Sequence, residues 1–597
     1  MPCLIEDYAL IGDCMTAALV SREGSIDWLC LPHFDSGACF AALLGKPDNG
    51  YWRIAPTEPV RHVRRKYRGD TLVLETEFET ESGRFALIDF MPPRGQAPDV
   101  VRIVEGRGGS VPVRMELVIR FDYGSVVPWV RHEDGGIVAV AGPEMAHLSG
   151  DVPTHGEDFR TVADFTIEAG RRVSFVFTWH PSHKPVPRPL VADDELVATE
   201  RWWRDWSDKC NYQGPWKGAV LRSLITLKAL TFAPTGGIVA APTTSLPEQP
   251  GGVRNWDYRF CWIRDATFTL LAMMNAGYAD EARAWRDWLV RAAAGKPELV
   301  QIVYGIRGER RLTELELEWL DGYEGARPVR IGNAAWRQHQ LDVYGEAIEA
   351  MYLARRLGIE PPQTDWRLER AFLRFLETDW KRPDYGIWEV RGPPRHFTHS
   401  KVMAWVAFDR AVKAAERFGL EGPVDRWRAL RDEVHAEICR RGFGARLNSF
   451  VQSYDGDLLD ASLLLMTEVG FLPPTDPRIV GTVGAIERCL VHDGLVVRYN
   501  THETDDGLPP GEGAFLPCTF WLADNYALMG RRAEAEALFE RMLSLCNDVG
   551  LLSEAYDPRA TRMLGNFPQA LTHIGLIDTA YNLATAHVGP VEQRREA

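Results

Sequence analysis

His183-Lys184-Pro185-Val186-Pro187-Arg188-Pro189 (183–189) divides this chain of 597 residues into two textures. Proline locks φ and removes an N–H donor, so a stretch this rich in it continues neither a sheet nor a helix. Before it lie short alternating runs, Thr71–Phe78, Val111–Arg120 and Arg172–Trp179 among them, separated by Gly, Pro and Asp turns. That spacing predicts an antiparallel β-sandwich. After it comes a polar, helix-prone segment, Asp193–Asp208, and from about Trp216 apolar residues recur every three or four positions. Helices are expected at 216–233, 264–277, 279–294, 336–357, 365–379, 397–418, 424–441, 459–469, 477–490, 515–529, 532–547 and 568–587. No sequence repeat marks an open solenoid. Paired helices without a repeat can instead close into a ring of inner and outer helices, an (α/α)6 barrel, with the long Gly- and Pro-rich loops gathered round a pocket at one end. The expected layout is an N-terminal antiparallel β-sandwich over 1–190, a helical linker over 191–214 and an (α/α)6 barrel over 215–597.

Apolar residues make up 45% of the chain and charged residues 25%, values usual for a water-soluble globular protein. The net charge of −15 comes without a basic block, which speaks against nucleic acid or an anionic membrane as partner. No apolar run approaches the roughly 18 residues of a membrane helix. The ten cysteines show no CxxC and no paired spacing, and the N-terminus has no charged-then-apolar leader. Both features point to a reducing, cytoplasmic location.

Two glutamates share a setting. Glu512 lies in Pro509-Pro510-Gly511-Glu512-Gly513-Ala514-Phe515-Leu516, between glycines that let the backbone bend and ahead of an apolar helical run. Glu389 lies in Gly386-Ile387-Trp388-Glu389-Val390-Arg391-Gly392, after an aromatic and before a helix. Two carboxyl groups amid many tryptophans (20 in the chain) fit acetal cleavage, in which one protonated carboxyl serves the leaving oxygen and one ionised carboxylate activates water or attacks. The apolar neighbours of Glu389 favour its protonated form, whereas a glycine-flanked loop keeps Glu512 ionised. Either residue taken singly reads first as a surface-loop glutamate, and only the shared context points further. The segment Asn255–Asp265 adds Tyr258 and Trp262 to pack on a sugar face, and Arg264 and Asp265 to bind two hydroxyls; the last two could also be a helix cap and its ion pair.

Other motifs carry less. The HxxH of His396 and His399 has no carboxylate at metal-ligand spacing, and the acidic loop 501–506 lacks the alternation of a calcium loop. No phosphate-binding glycine pattern is present, so neither a metal nor a cofactor is expected.

Together these segments resemble glycoside hydrolase family 15, the glucoamylase and trehalase family, over nearly the whole chain. Ile5–Asp13 and Gly24–Ser36 resemble the opening of the bacterial members' sandwich. Asn255–Asp265, Arg327–Asn333, Trp388–Glu389, Arg498–Tyr499, Gly511–Gly513 and Gly565–Ala570 follow in family order. The resemblance implies a sandwich joined to an (α/α)6 barrel and an inverting reaction, with Glu389 as general acid and Glu512 as general base, their carboxyls roughly 6.5–9.5 Å apart. It implies that Tyr258, Trp262, Arg264 and Asp265 line the −1 glucose subsite, with Trp388 and Arg498 flanking the scissile bond; Arg391 and Lys401 lie close by in sequence. Fungal members carry a second Glu directly after the acid. Val390 stands there in this chain, so their malto-oligosaccharide contacts beyond the −1 subsite are not carried over. The expected substrate is a small sugar, trehalose ahead of an α-1,4-glucan. A non-catalytic, carbohydrate-sensing module is the reading from a different class, which the loss of either carboxylate would favour. Oligomeric state is not legible.

Overall fold

A computed structural model describes residues 3–133, 136–188, 190–359, 363–584 and 589–595. The N-terminal part is an antiparallel β-sandwich followed by an (α/α)6 barrel. The sandwich turns on one long strand, Asp99–Val118. Its first half pairs with Gly83–Phe90 and Arg172–Pro181, its second with Tyr51–Pro56 and Arg160–Glu168, so a single strand belongs to both layers. The crossing falls at Gly106, Gly108 and Gly109, where the register with Gly83–Phe90 slips. A Cβ on Gly106 would collide with the Glu168 carbonyl, and Gly109 has φ +70, so only glycine makes this bend cheaply. Arg102 and Asp89 form a fully buried ion pair between the layers (2.7 Å), and Arg102 also donates to the Gly24 carbonyl at 2.8 Å.

Beyond the proline-rich stretch, α1 (Ala192–Ser207) leads to the barrel helices α2 (Lys217–Ala229), α3 (Ala266–Asn275), α4 (Ala279–Ala293), α5 (Asp342–Arg356), α6 (Gln363–Asp379), α7 (Thr398–Phe418), α8 (Val424–Arg441), α9 (Leu465–Glu468, entered through a 3₁₀ turn at Ala461–Leu464), α10 (Pro477–Cys489), α11 (Leu516–Leu528), α12 (Arg532–Leu543) and α13 (Ala570–Leu583). Contacts run α3–α5–α7–α9–α11–α13 and back to α3, closing an inner ring; α4, α6, α8, α10, α12 and α2 pack outside it. The sequence distinguishes the rings. Nearly every residue of α7 is buried, whereas α8 buries only Trp427, Val434 and Ile438, a one-sided stripe. Residues 585–587 of the last expected helix lie outside the described residues, and the expected start at 336 is displaced to Asp342 because Ala334–Arg337 forms a 3₁₀ turn.

The two parts interlock behind the segment 255–265. Trp28 Nε1 donates to the Pro242 carbonyl (2.8 Å), and Arg259, paired with Asp257 at 2.7 Å, donates to the Ser36 carbonyl at 2.9 Å. The sandwich thus braces the backbone that carries Tyr258, Trp262 and Arg264.

Candidate active site

The loops that lead into α3, α7, α11 and α13 meet at one end of the barrel. Their backbones are stitched together: Gly513 N–H donates to Glu248 O (2.8 Å), Leu516 N–H to Glu554 O (3.1 Å) and Gly565 N–H to Pro247 O (2.8 Å). The loops into α3, α7 and α11, with Asn333 and Ala335 ahead of α5, line a small cavity whose wall includes Tyr258, Trp262, Trp388, Glu389 and Arg498, five of the eight residues expected from sequence.

Glu389 sits at the end of a tight turn, its N–H donating to Gly386 O at 3.1 Å, with φ +49. A side-chain-bearing residue in left-handed backbone is strained, and such strain concentrates at functional positions. Its Oε1 accepts from Trp262 Nε1 (3.2 Å) and Arg264 Nη1 (3.1 Å), and Arg264 is fixed in turn by Asp265 (2.8 Å) and the Ile387 carbonyl (3.0 Å). Burial pushes the Glu389 carboxyl above the usual carboxylate range, with Arg264 opposing. Arg264 and Asp265 therefore support Glu389 from behind. Trp388 is held flat by Asp460 (2.9 Å) and stacks on Trp521 with ring centroids 6.1 Å apart.

Arg498 organises the opposite wall. It is ion-paired to Glu248 and to Glu512 (2.5 Å), and its guanidinium lies 5.6 Å from the centre of the Trp388 ring. Glu512, expected as the base, is not part of the cavity wall. Its two oxygens take the Nε (3.2 Å) and Nη2 of Arg498, and Arg254 approaches at 3.6 Å. The glycines around it serve packing: Gly511 has φ +111, and a Cβ there would strike Gln249. Lys401 also lies away from the cavity, capping the carbonyls of Trp380 (2.6 Å) and Arg382 (2.5 Å). Arg391 does line it, paired with Glu314 at 3.0 Å and lying over Trp256 at 4.6 Å.

Sequence reading missed Glu248, Arg254, Trp256, Asp506 and Glu554. Glu554 follows Ser553 just ahead of the strand Ala555–Asp557, with no glycine beside it. Its Oε1 accepts from the Tyr258 hydroxyl (2.5 Å) and its Oε2 from Asn566 N–H (3.0 Å). Burial first, and the charge of Glu248 second, push its carboxyl up to about 8. Glu248 and Glu512 share the single charge of Arg498, and burial still holds the Glu248 carboxyl above the usual range, whereas Glu554 faces two neutral donors. Glu389 on the cavity wall and Glu554 buried behind Tyr258 both have raised proton affinity, and the edge-on contact of Trp262 and Tyr258 (5.3 Å) joins their surroundings. Such a pair can donate a proton to one oxygen and take one from another.

A family model described as "Glycosyl hydrolases family 15" matches residues 214–581, and one described as "Trehalase-like, N-terminal" matches residues 2–162. The chain is 38% identical to the trehalase of Mycobacterium tuberculosis (strain ATCC 25618 / H37Rv), covering 98% of this chain and 90% of that one. It is 35% identical to the trehalase of Thermoplasma volcanium, covering 98% and 94%. Among solved structures, a bacterial glucoamylase complexed with acarbose superposes with a TM-score of 0.71 at 13% identity, over 97% of this chain and 94% of that one.

Proposed function

The chain belongs to glycoside hydrolase family 15, and from that premise we propose that it hydrolyses trehalose with inversion, Glu389 acting as general acid and Glu554 as general base. Glu389 gives its proton to the bridging oxygen as the bond to the anomeric carbon breaks. Glu554 takes a proton from a water attacking that carbon from the opposite face. One glucose leaves as the α-anomer, and the attacked ring becomes β-glucose.

Glu554 is preferred to Glu512 on the partners of its oxygens. Both oxygens of Glu512 are taken by the Arg498 guanidinium, which makes that carboxylate an anchor, while Glu554 faces a phenol and an amide and has a raised pKa. Glu512 and Glu248 then hold Arg498 against Trp388. Tyr258, Trp262, Arg264, Asp265, Trp388 and Arg498 form or brace the glucose subsite. The sandwich (1–190) and helical linker (191–214) support a catalytic barrel over 215–597.

The closed rim carries the substrate assignment. Arg391 and Gly392 N–H groups both donate to Asp506 O (2.8 and 2.9 Å), and Arg391 ties the same segment to Glu314. Loops bridged in this way suit a short α-glucoside better than a threaded glucan, in keeping with the near-full-length similarity to trehalases. No described helix is long and apolar enough to cross a membrane. The ten free cysteines support a reducing cytoplasm as its location. Values of kcat/KM on trehalose, maltose, isomaltose and maltoheptaose test the assignment: trehalose is expected to lead, and preference for maltoheptaose overturns it.

A further inference from the structure

The two layers of the sandwich part at one end, where the edge strand Trp129–Glu133 faces the hairpin His155–Glu157/Arg160–Glu168. A cavity of about 510 Å³ opens there, with Leu117, Ile119, Val130 and Ile137 on its walls and Arg120 among its lining residues. This volume lies in the range of small-molecule sites. It shares no lining residue with the barrel pocket.

Three observations mark it out. Arg120 is only 9% exposed, yet among the described residues no carboxylate pairs with it; its guanidinium donates to the carbonyls of Ile119 (2.8 Å) and Phe159 (3.5 Å). Of the acids around it, Glu157 is held by Arg114 (2.7 Å) and Glu133 by Arg131 (2.6 Å), Asp158 lines the cleft and Asp48 attracts Arg120 without pairing with it, and Arg160 adds a second positive charge. Burial pulls the Arg120 pKa down, against the attraction of Asp48 and with the repulsion of Arg160. Two large aromatics stand at the mouth in water, Trp129 at 68% and Phe159 at 85% exposure. Finally, Asp158 and Phe159 form the two-residue hairpin turn, with the positive φ (+46 and +60) that such a turn requires, and a phenylalanine stands in solvent where glycine is usual.

We infer that this cleft binds a small organic anion with a flat apolar body, its anionic group on Arg120 and its body between the layers under Trp129 and Phe159. A charge-assisted contact to a buried guanidinium supplies orientation, and apolar and aromatic burial supplies affinity. Neither the anion nor the flat body alone satisfies both halves of the site.

Calorimetric titration of the full chain with AMP, indole-3-acetate, adenosine and inorganic phosphate tests this. At least one aromatic anion binds, with adenosine and phosphate weaker by about tenfold or more, the loss of one charge-assisted contact or of the stacked body. Arg120→Gln weakens that binding by roughly the same factor, and Trp129→Ala, at an exposed position, weakens it without disturbing the fold. Sugar hydrolysis at the barrel site is unchanged in both variants. The inference is overturned if neither aromatic anion binds at millimolar concentration, or if phosphate binds as well as they do. It is equally overturned if the substitutions leave affinity intact, or if sedimentation shows this face covered in a self-association that Phe159→Asp disrupts.

Discussion

The hydroxyl of Tyr258 donates to Glu554 Oε1 at 2.5 Å, linking the cavity wall to a fully buried carboxylate. That bond favours the ionised form of Glu554, whose pKa burial has pushed up to about 8. Tyr258→Phe raises it further. Because a base acts only when ionised, activity falls most well below pH 8, and the deficit shrinks as pH rises through the Glu554 pKa. The ratio of wild-type to variant kcat/KM, followed from pH 5 to 9, reports this, and protonation of other groups common to both proteins cancels from it. A ratio independent of pH removes Tyr258 from the ionisation of the base.

Glu554→Ala is expected to cut hydrolysis by about 10²–10⁴, the range of a lost general base. Azide, small and already anionic, needs no base and can attack the same face. It should restore turnover and yield β-glucosyl azide. Glu512→Ala loosens Arg498, lowers stability by about 1.5–3 kcal/mol for a lost hydrogen bond to a charged group, and is not rescued by azide. Rescue of Glu512→Ala with the β-azide product would return the base to Glu512.

Glu389→Gln keeps the volume and polarity of the side chain and removes the proton it donates. Hydrolysis of trehalose, whose leaving oxygen needs that proton, falls by about 10²–10⁴. α-Glucosyl fluoride, which departs as fluoride, is cleaved within about tenfold of the wild-type rate on the same general-acid argument. Equal losses on both substrates would assign Glu389 to binding.

The architecture was legible because its signals are local. Inner helices such as α7 are apolar all round and outer ones such as α8 are striped, and the spacing that separates them lies within single turns. The long strand was visible only over 111–120, since Gly106, Gly108 and Gly109 interrupt its alternation where it changes layers. At the site, Glu389, Trp262 and Arg264 carry their context beside them in the chain. Glu554, the proposed base, does not: its hydrogen-bond partner, Tyr258, is 296 residues away. Glycines beside Glu512 signalled a functional bend, whereas they accommodate Gln249 and allow the Gly513 N–H to reach Glu248 O. A pattern that marks unusual backbone does not by itself say which side chain the bend serves.

Glu349 on α5 lies at the centre of the barrel between two guanidinium groups, Arg410 of α7 at 2.9 Å and Arg594 at 2.6 Å. Burial alone would raise its pKa, but Arg594 and Arg410 outweigh burial and hold it below the usual carboxylate range. A folded-state pKa below the unfolded one contributes stability above the unfolded value and loses it as pH falls through the folded one. Arg410→Met removes one cation and leaves a charge only half compensated. The cost is about 3–5 kcal/mol at neutral pH, as for a broken buried pair. It shrinks in acid, where the wild-type protein also loses the contribution of the ionised glutamate. Denaturant unfolding of both proteins at pH 7 and pH 4, followed by helical circular dichroism, measures the difference. A penalty that stays constant between the two pH values would mean that Arg410 stabilises the inner ring through packing, its pair with Asp409 (2.6 Å) and its bonds to the Val469 and Arg594 carbonyls (2.9 Å each), independently of the charge on Glu349.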